Sequence, residues 1–442
     1  MSRHIGADDF AAGRIPRERR HGWLSVAMQR FGTMSSLPLF LLGSTLGVGM
    51  TFWEAFWAFV CGSVVFELIT ILVGVLGVRE GMSTSMIARW AGFGKGGASL
   101  IGLIIGISLI GWFGVQTQIS AQGLTQLLGG LPEWAWSLVF GLVVTLIVVF
   151  GFNSMAWTAY LTVPPFVILV GWAIASTLTD HPLAALVASP APGPAMSVAQ
   201  GAGLVAGGTM LTAVITCDMT RFNRTVGDVV KQTVLGITLG EFFIGLSGVL
   251  LAHATRTENV VVIVLSAVGW IGVLVTVLSA LKINDWNLYS ASLGFVIFAD
   301  AVFGRKVHRG AVALAMGVVG SVLAAANVIG SFATFLTLLG DTFSPVAGIM
   351  LAEYFVVRTW RDDLRQSGAD ETRAPGHAPV WVPASLLIWL ASTLVGMFVP
   401  IGIGTVNALV LAFVLYVAAG RLGWVRGVGV AVTEGADRAP VS

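Results

Sequence analysis

Lys282, Asn284 and Asp285 stand in the run "LSALKINDWNLY" (278–289), inside one of the most apolar regions of the chain. A charge at the centre of a bilayer costs at least about 2.5–3.5 kcal/mol, so an ammonium there must be compensated or used. Two uses are open: a standing ion pair with Asp285, one helical turn on, or a fixed cation that holds neighbouring oxygens and can release a proton. A second group lies in "IGISLIGWFGVQTQISAQ" (105–122), where Ser108, Trp112, Gln116 and Ser120 recur every four residues and so share one helix face. A tryptophan above a glutamine suits a flat heteroaromatic ring, the indole stacking and the amide bonding an edge. The same spacing also serves plain interhelical packing. Glu67, Glu241 and Asp341 are further ionisable side chains in apolar runs, each either a proton relay or a hydrogen-bonded structural group. The chain offers no metal-ligand spacing, no nucleophile with a base and no phosphate loop, and no cofactor is expected. Cys61 and Cys217 read as buried thiols, and His253 and His308, at span ends, as solvated side chains.

The elements that must position these groups are membrane helices. The 442 residues are 56% hydrophobic and 10% charged, against about 25% charged in a soluble domain. Apolar runs fall near 29–50, 53–77, 98–126, 134–152, 158–178, 200–220, 233–252, 265–300, 309–326, 328–357, 381–399 and 402–420. Twelve crossings with the N-terminus inside place all but two of the 24 basic residues in inner segments. Only Arg256 falls outside, and Lys282 lies within a span. That asymmetry predicts that both ends are cytoplasmic. It also decides the stretch 259–304, too long for one simple span. Two crossings there would carry Arg305, Lys306 and Arg309 outside, so the chain crosses once, after a short outer helix or re-entrant piece. Lys282 then sits near mid-membrane.

Span one carries Pro38 followed by "GSTLGVG", and span six carries Gly207, Gly208, Thr209 and Thr212. Such stretches permit either an unwound or a closely packed backbone. At matching positions of two halves they point to a transporter site. The first and sixth spans are five apart, as two inverted five-helix repeats require.

Four blocks, "GWFGVQTQ" (111–118), "CDMTRFNR" (217–224), "NDWNLYSASLGF" (284–295) and "SPVAGIMLAEYFVVR" (344–358), resemble the nucleobase–cation symporter family in its cytosine permease branch. Their order and spacing match from about residue 22 to 420. The resemblance implies an all-α polytopic membrane protein of twelve transmembrane helices with the LeuT-type fold. A cytoplasmic tail (1–28) would precede the first five-helix repeat (29–178) and its inverted partner (200–357). A loop (358–380), helices eleven and twelve (381–420) and a second cytoplasmic tail (421–442) would complete the chain. It implies a non-enzymatic importer of nucleobases or related flat heterocycles in the inner membrane, coupled to sodium or protons. The family's stacking tryptophan matches Trp112, the glutamine of hydantoin-type members matches Gln116, and the ligand-facing asparagine of helix eight matches Asn284. Thr209 stands where cytosine permease has a ring-contacting phenylalanine, and Leu109 where it has a glutamine. Sodium-coupled members place hydroxyl residues just before the helix-eight asparagine, at the positions of Lys282 and Ile283. Isoleucine offers no ligand oxygen, and an ammonium repels a neighbouring cation. The expectation is a sodium-independent or proton-coupled carrier in which Lys282 replaces the ion. An amino-acid or polyamine carrier of the same fold, and a membrane receptor, are the alternatives.

Overall fold

The computed structural model describes residues 13–150, 153–365, 375, 377–399 and 401–432, with backbone alone at 150, 153–164 and 430–432. Arg3, Arg373 and Arg438, which enter the charge count above, lie outside the described residues, as do parts of both expected tails and of the loop 358–380. The main helices are α1 (Trp23–Met34), α2 (Leu37–Gly49), α3 (Phe52–Glu80), α4 (Gly94–Leu128), α5 (Glu133–Phe150), α6 (Asn153–Asp180) and α7 (Val198–Val214). Then come α8 (Leu239–Thr255), α9 (Val260–Val268), α10 (Trp270–Phe303), α11 (Arg309–Ala325), α12 (Phe332–Leu351), α13 (Pro383–Phe398) and α14 (Gly404–Arg421). A two-stranded antiparallel sheet pairs β1 (His377–Trp381) with β2 (Val428–Val432). Among the described residues, six helices are long and apolar enough to cross a membrane, seven if the bent α1–α2 pair is one span. Five shorter apolar helices accompany them, in keeping with the twelve segments read from the sequence.

Local chemistry sets the helix ends. Thr51 and Glu54 form a reciprocal capping box at the start of α3, and Gly81, at φ +67°, closes that helix in the left-handed conformation. Pro38 sits in the first turn of α2, where a missing N–H breaks no helical bond. The chain therefore bends by 55° before it, between Met34 and Leu37. The long stretch 259–304 resolves as expected: α9 is the short helix, and Gly269 at φ +81° makes the break before α10.

The glycine-rich parts of α2 and α7 are packed rather than unwound. A Cβ at Gly43 would strike the backbone of Gly245 in α8, and one at Gly207 the carbonyl of Leu336 in α12. The break in the sixth span falls lower, at Ile215–Thr216, between α7 and a short turn at Cys217–Thr220. The most extensive helix contacts are α4 on α10, α3 on α7, α2 on α8, α11 on α5, and α12 on both α7 and α14. Two expectations fail. Cys61 is exposed on the outer surface of α3, since its side of the helix faces away from the bundle. His253 is buried (3% exposed): its ring spans from the carbonyl of Met50 to that of Leu186, each at 3.0 Å.

Candidate functional site

α4 packs along α10 and against α11 and α5, and touches α12. Its four-residue repeat divides into two kinds of residue. The Ser108 and Ser120 hydroxyls donate back to the carbonyls of Ile104 and Gln116, both at 2.9 Å, and so satisfy the helix itself. Trp112 and Gln116 have no such local outlet. The indole of Trp112 meets Phe335 of α12 at 5.2 Å between centroids and 76°, and Phe332 at 6.0 Å and 72°. Neither phenyl lies flat on the indole face. One turn on, Gln116 is 1% exposed, and neither its amide oxygen nor its amide nitrogen has a hydrogen-bond partner among the described residues. Burying such a group unpaired costs about 1–3 kcal/mol.

Asn284 is placed differently. Its amide nitrogen donates to the Phe113 carbonyl at 3.1 Å and to the Thr117 hydroxyl at 3.0 Å, while its oxygen accepts from Asn287 at 3.3 Å. It ties α10 to α4 through the residues that follow Trp112 and Gln116. Thr209, 6% exposed on α7, donates to the Val205 carbonyl at 2.8 Å. The Lys282 ammonium reaches both carboxylate oxygens of Asp285, at 3.2 and 3.1 Å. Side-chain exposures of 15% and 1% leave the ammonium partly exposed and the carboxylate buried. Glu67 and Glu241 face one another's helices: Thr238 bonds Glu67, and Ser63 donates to Glu241 at 2.9 Å. Asp341 lies apart, between α12, α13 and α14.

Two polar residues that carry the architecture of this region were not read from the sequence. Gln118 donates to Glu133 at 2.9 Å and to Asn327 at 2.7 Å, and accepts from the Ile329 amide at 3.0 Å, fixing the start of α12 to α4. Arg30, 3% exposed in α1, bonds the hydroxyl of Thr216 at the break of the sixth span. The only signal for either was a polar side chain inside an apolar run. Among the described residues no group of three or more His, Cys, Asp or Glu could hold a metal ion.

A broken first span, a broken sixth span and a long helix presenting an aromatic ring and an amide unpartnered among the described residues define a membrane transporter of the LeuT fold. The fold matches that of Mhp1 in its inward-facing conformation, with a TM-score of 0.79, 19% identity, and coverage of 97% of this chain and 100% of that one. Mhp1 in a closed conformation with bromovinylhydantoin bound gives 0.72, 21%, 93% and 95%. A sodium-coupled sialic acid symporter gives 0.59 at 11% identity over 95% and 93%. Residues 14–423 match the family model for permeases of cytosine/purines, uracil, thiamine and allantoin, and the chain belongs to that family of transporters, which are not enzymes. It is 25% identical to the cytosine permease of Escherichia coli K12 over 358 residues, 79% of this chain and 82% of that permease. Against the hydantoin permease of Microbacterium maritypicum it is 22% identical over 437 residues, 92% and 87% of the two chains.

Proposed function

We propose that the protein imports a nucleobase or related flat heterocycle across the cytoplasmic membrane by alternating access, with both termini in the cytoplasm. The observation that carries this reading is Gln116: a buried primary amide with neither end partnered among the described residues, one turn from an indole that meets Phe332 and Phe335 edge-on. A planar ring edge offering one donor beside one acceptor would satisfy both ends, while Trp112 stacks its face. Asn284 would join by exchanging one of its bonds to α4 for one to the ring. Thr209 and Ser108 supply the rest of the wall. The basic residues of the inner segments support the orientation. The two inverted repeats, 29–178 and 200–357, would rock about this site.

Lys282 takes the place of a bound sodium ion. Asp285 holds its ammonium at mid-helix, and a second cation beside it would be repelled. Transport is then sodium-independent or driven by protons, with Glu67, Glu241 and Asp341 as the relay candidates. The test is a thermal-shift panel of purines, pyrimidines, hydantoins and thiamine-type pyrimidines on the purified protein, each in sodium and in potassium. A bound ring raises the midpoint by mass action, equally in both salts. A panel without a shift, or amino acids competing for the site, would refute the substrate class.

A further inference from the structure

Asp341 is fully buried and is the one charged residue of α12. Thr405, in the first turn of α14, donates to its Oδ1 at 3.4 Å, and its Oδ2 has no hydrogen-bond partner among the described residues. Glycines let the carboxyl in: a Cβ at Gly396 of α13 would lie 3.0 Å from the Asp341 Cγ, and one at Gly404 of α14 2.9 Å from Oδ1. Two further hydroxyls belong to the same faces. Ser344 follows Asp341 by three residues on α12, and Thr393 precedes Gly396 by three on α13. Both are more than nine-tenths buried, and neither oxygen has a partner among the described residues. Pro345 lies inside α12 four residues after Asp341 and brings no N–H, so the Asp341 carbonyl loses its helical donor as well.

We propose that Asp341 is a proton-binding site, held by the Thr405 hydroxyl and flanked on the neighbouring faces of α12 and α13 by the unpartnered hydroxyls of Ser344 and Thr393, and that its protonation sets how α12 seats against α13 and α14. Hydroxyls suit the task because each can donate to a carboxylate or accept from a carboxylic acid. An arginine or lysine partner would lock the charged form. Among the described residues none pairs with Asp341: α7 and α13 carry no ionisable side chain, and α14 carries only Tyr416 and Arg421, both toward its far end. On the other segments touching α12, Glu54 is bonded to Thr51, Glu67 to Thr238, Glu80 to Arg14 and Tyr354, and Glu353 to Tyr416, while Arg79 at the end of α3, Arg89 in the turn 89–93 and Lys95 in the first turn of α4 form no ion pair with Asp341. Gly404 and Thr405 begin α14 directly after the exposed Ile401 and Gly402, on the face opposite the basic residues, from which an importer's proton would come. The outer half of α12 carries Phe332 and Phe335 against Trp112, so a shift in its seat reaches the ring platform. That consequence rests on the importer reading; the proton site does not.

Infrared titration of the purified protein reads buried carboxylic acids without any solute. A titrating carboxylic-acid carbonyl band is expected in the parent, absent from Asp341→Asn and kept by Glu67→Gln and Glu241→Gln. In liposomes, an inside-alkaline gradient of one pH unit supports about tenfold accumulation for one proton per solute. The probes are radiolabelled cytosine, uracil, hypoxanthine and bromovinylhydantoin. Asp341→Asn should fall to the accumulation reached without a gradient, and Asp341→Glu should recover part of it. An unchanged band in Asp341→Asn, or full gradient-driven accumulation by it, overturns the proposal. If the parent takes up no probe, the importer reading fails alone and the infrared result still decides the proton site. Should Asp341→Asn not fold, Thr405→Val is to move the midpoint of the same band; an unmoved midpoint overturns the site.

Discussion

Gln116 is an expensive residue for a helix that only packs. Two amide ends without a partner among the described residues, each costing about 1–3 kcal/mol, are retained where a leucine of similar volume would fit. Gln116→Leu should therefore raise the melting temperature of the unliganded protein while removing any ligand-induced shift. A lower melting temperature with the shift intact would show that the amide serves the fold. Trp112→Ala should cost about 1–3 kcal/mol of ring affinity, the usual worth of an aromatic stack, read as a weaker thermal shift at fixed ligand concentration. At Lys282, removing the ammonium strands the buried carboxylate of Asp285. Lys282→Met should destabilise by about 3–5 kcal/mol, and adding Asp285→Leu should recover most of it. Single variants with parental melting temperatures would dismiss the pair as a structural element. Trp112, Gln116 and the Lys282–Asp285 pair could be read from the sequence because each spacing lies within one helix. The bond of Asn284 to Phe113 joins residues 171 apart in the chain, and that of His253 to Met50 residues 203 apart, so no local pattern announces either.

The helices themselves were legible from hydropathy, and the single crossing of α10 from the placement of Arg305, Lys306 and Arg309. Their glycines were ambiguous, because the same residue permits an unwound backbone and a close contact. The neighbour of each glycine decides between them. At Gly43 and Gly248, an added Cβ would meet backbone of the facing helix, which cannot swing aside. At Gly208 it would lie 3.2 Å from the Leu336 Cδ2, a methyl that can move. Gly43→Ala and Gly248→Ala should each cost about 1–3 kcal/mol or more, seen as loss of monodisperse protein on size exclusion, and Gly208→Ala should be tolerated. Equal effects at all three would mean that helix contact is not what these glycines provide.

For the whole molecule, the position of its charges predicts the response to salt. With an ammonium held by Asp285 in α10, ligand-induced stabilisation should be the same in sodium and potassium to within experimental scatter. A tenfold gain in affinity from sodium, about 1.4 kcal/mol, would return the ion to the mechanism. The resemblance conveyed the fold because its blocks span both halves of the chain. It could not convey the surroundings of Asp341, where α13 and α14 close on α12 through Gly396 and Gly404.

The pairing of β1 with β2 bears on how the protein can be handled. Residues 428–432, beyond the last helix, are the sole strand partner of 377–381 among the described residues. A truncation after Arg426, or a reporter grafted in place of that tail, would bare a ribbon of backbone donors and acceptors just ahead of α13. Such an edge invites a second molecule to zip onto it. Shortened versions should then elute as larger species that dissociate when a peptide spanning 426–432 is supplied.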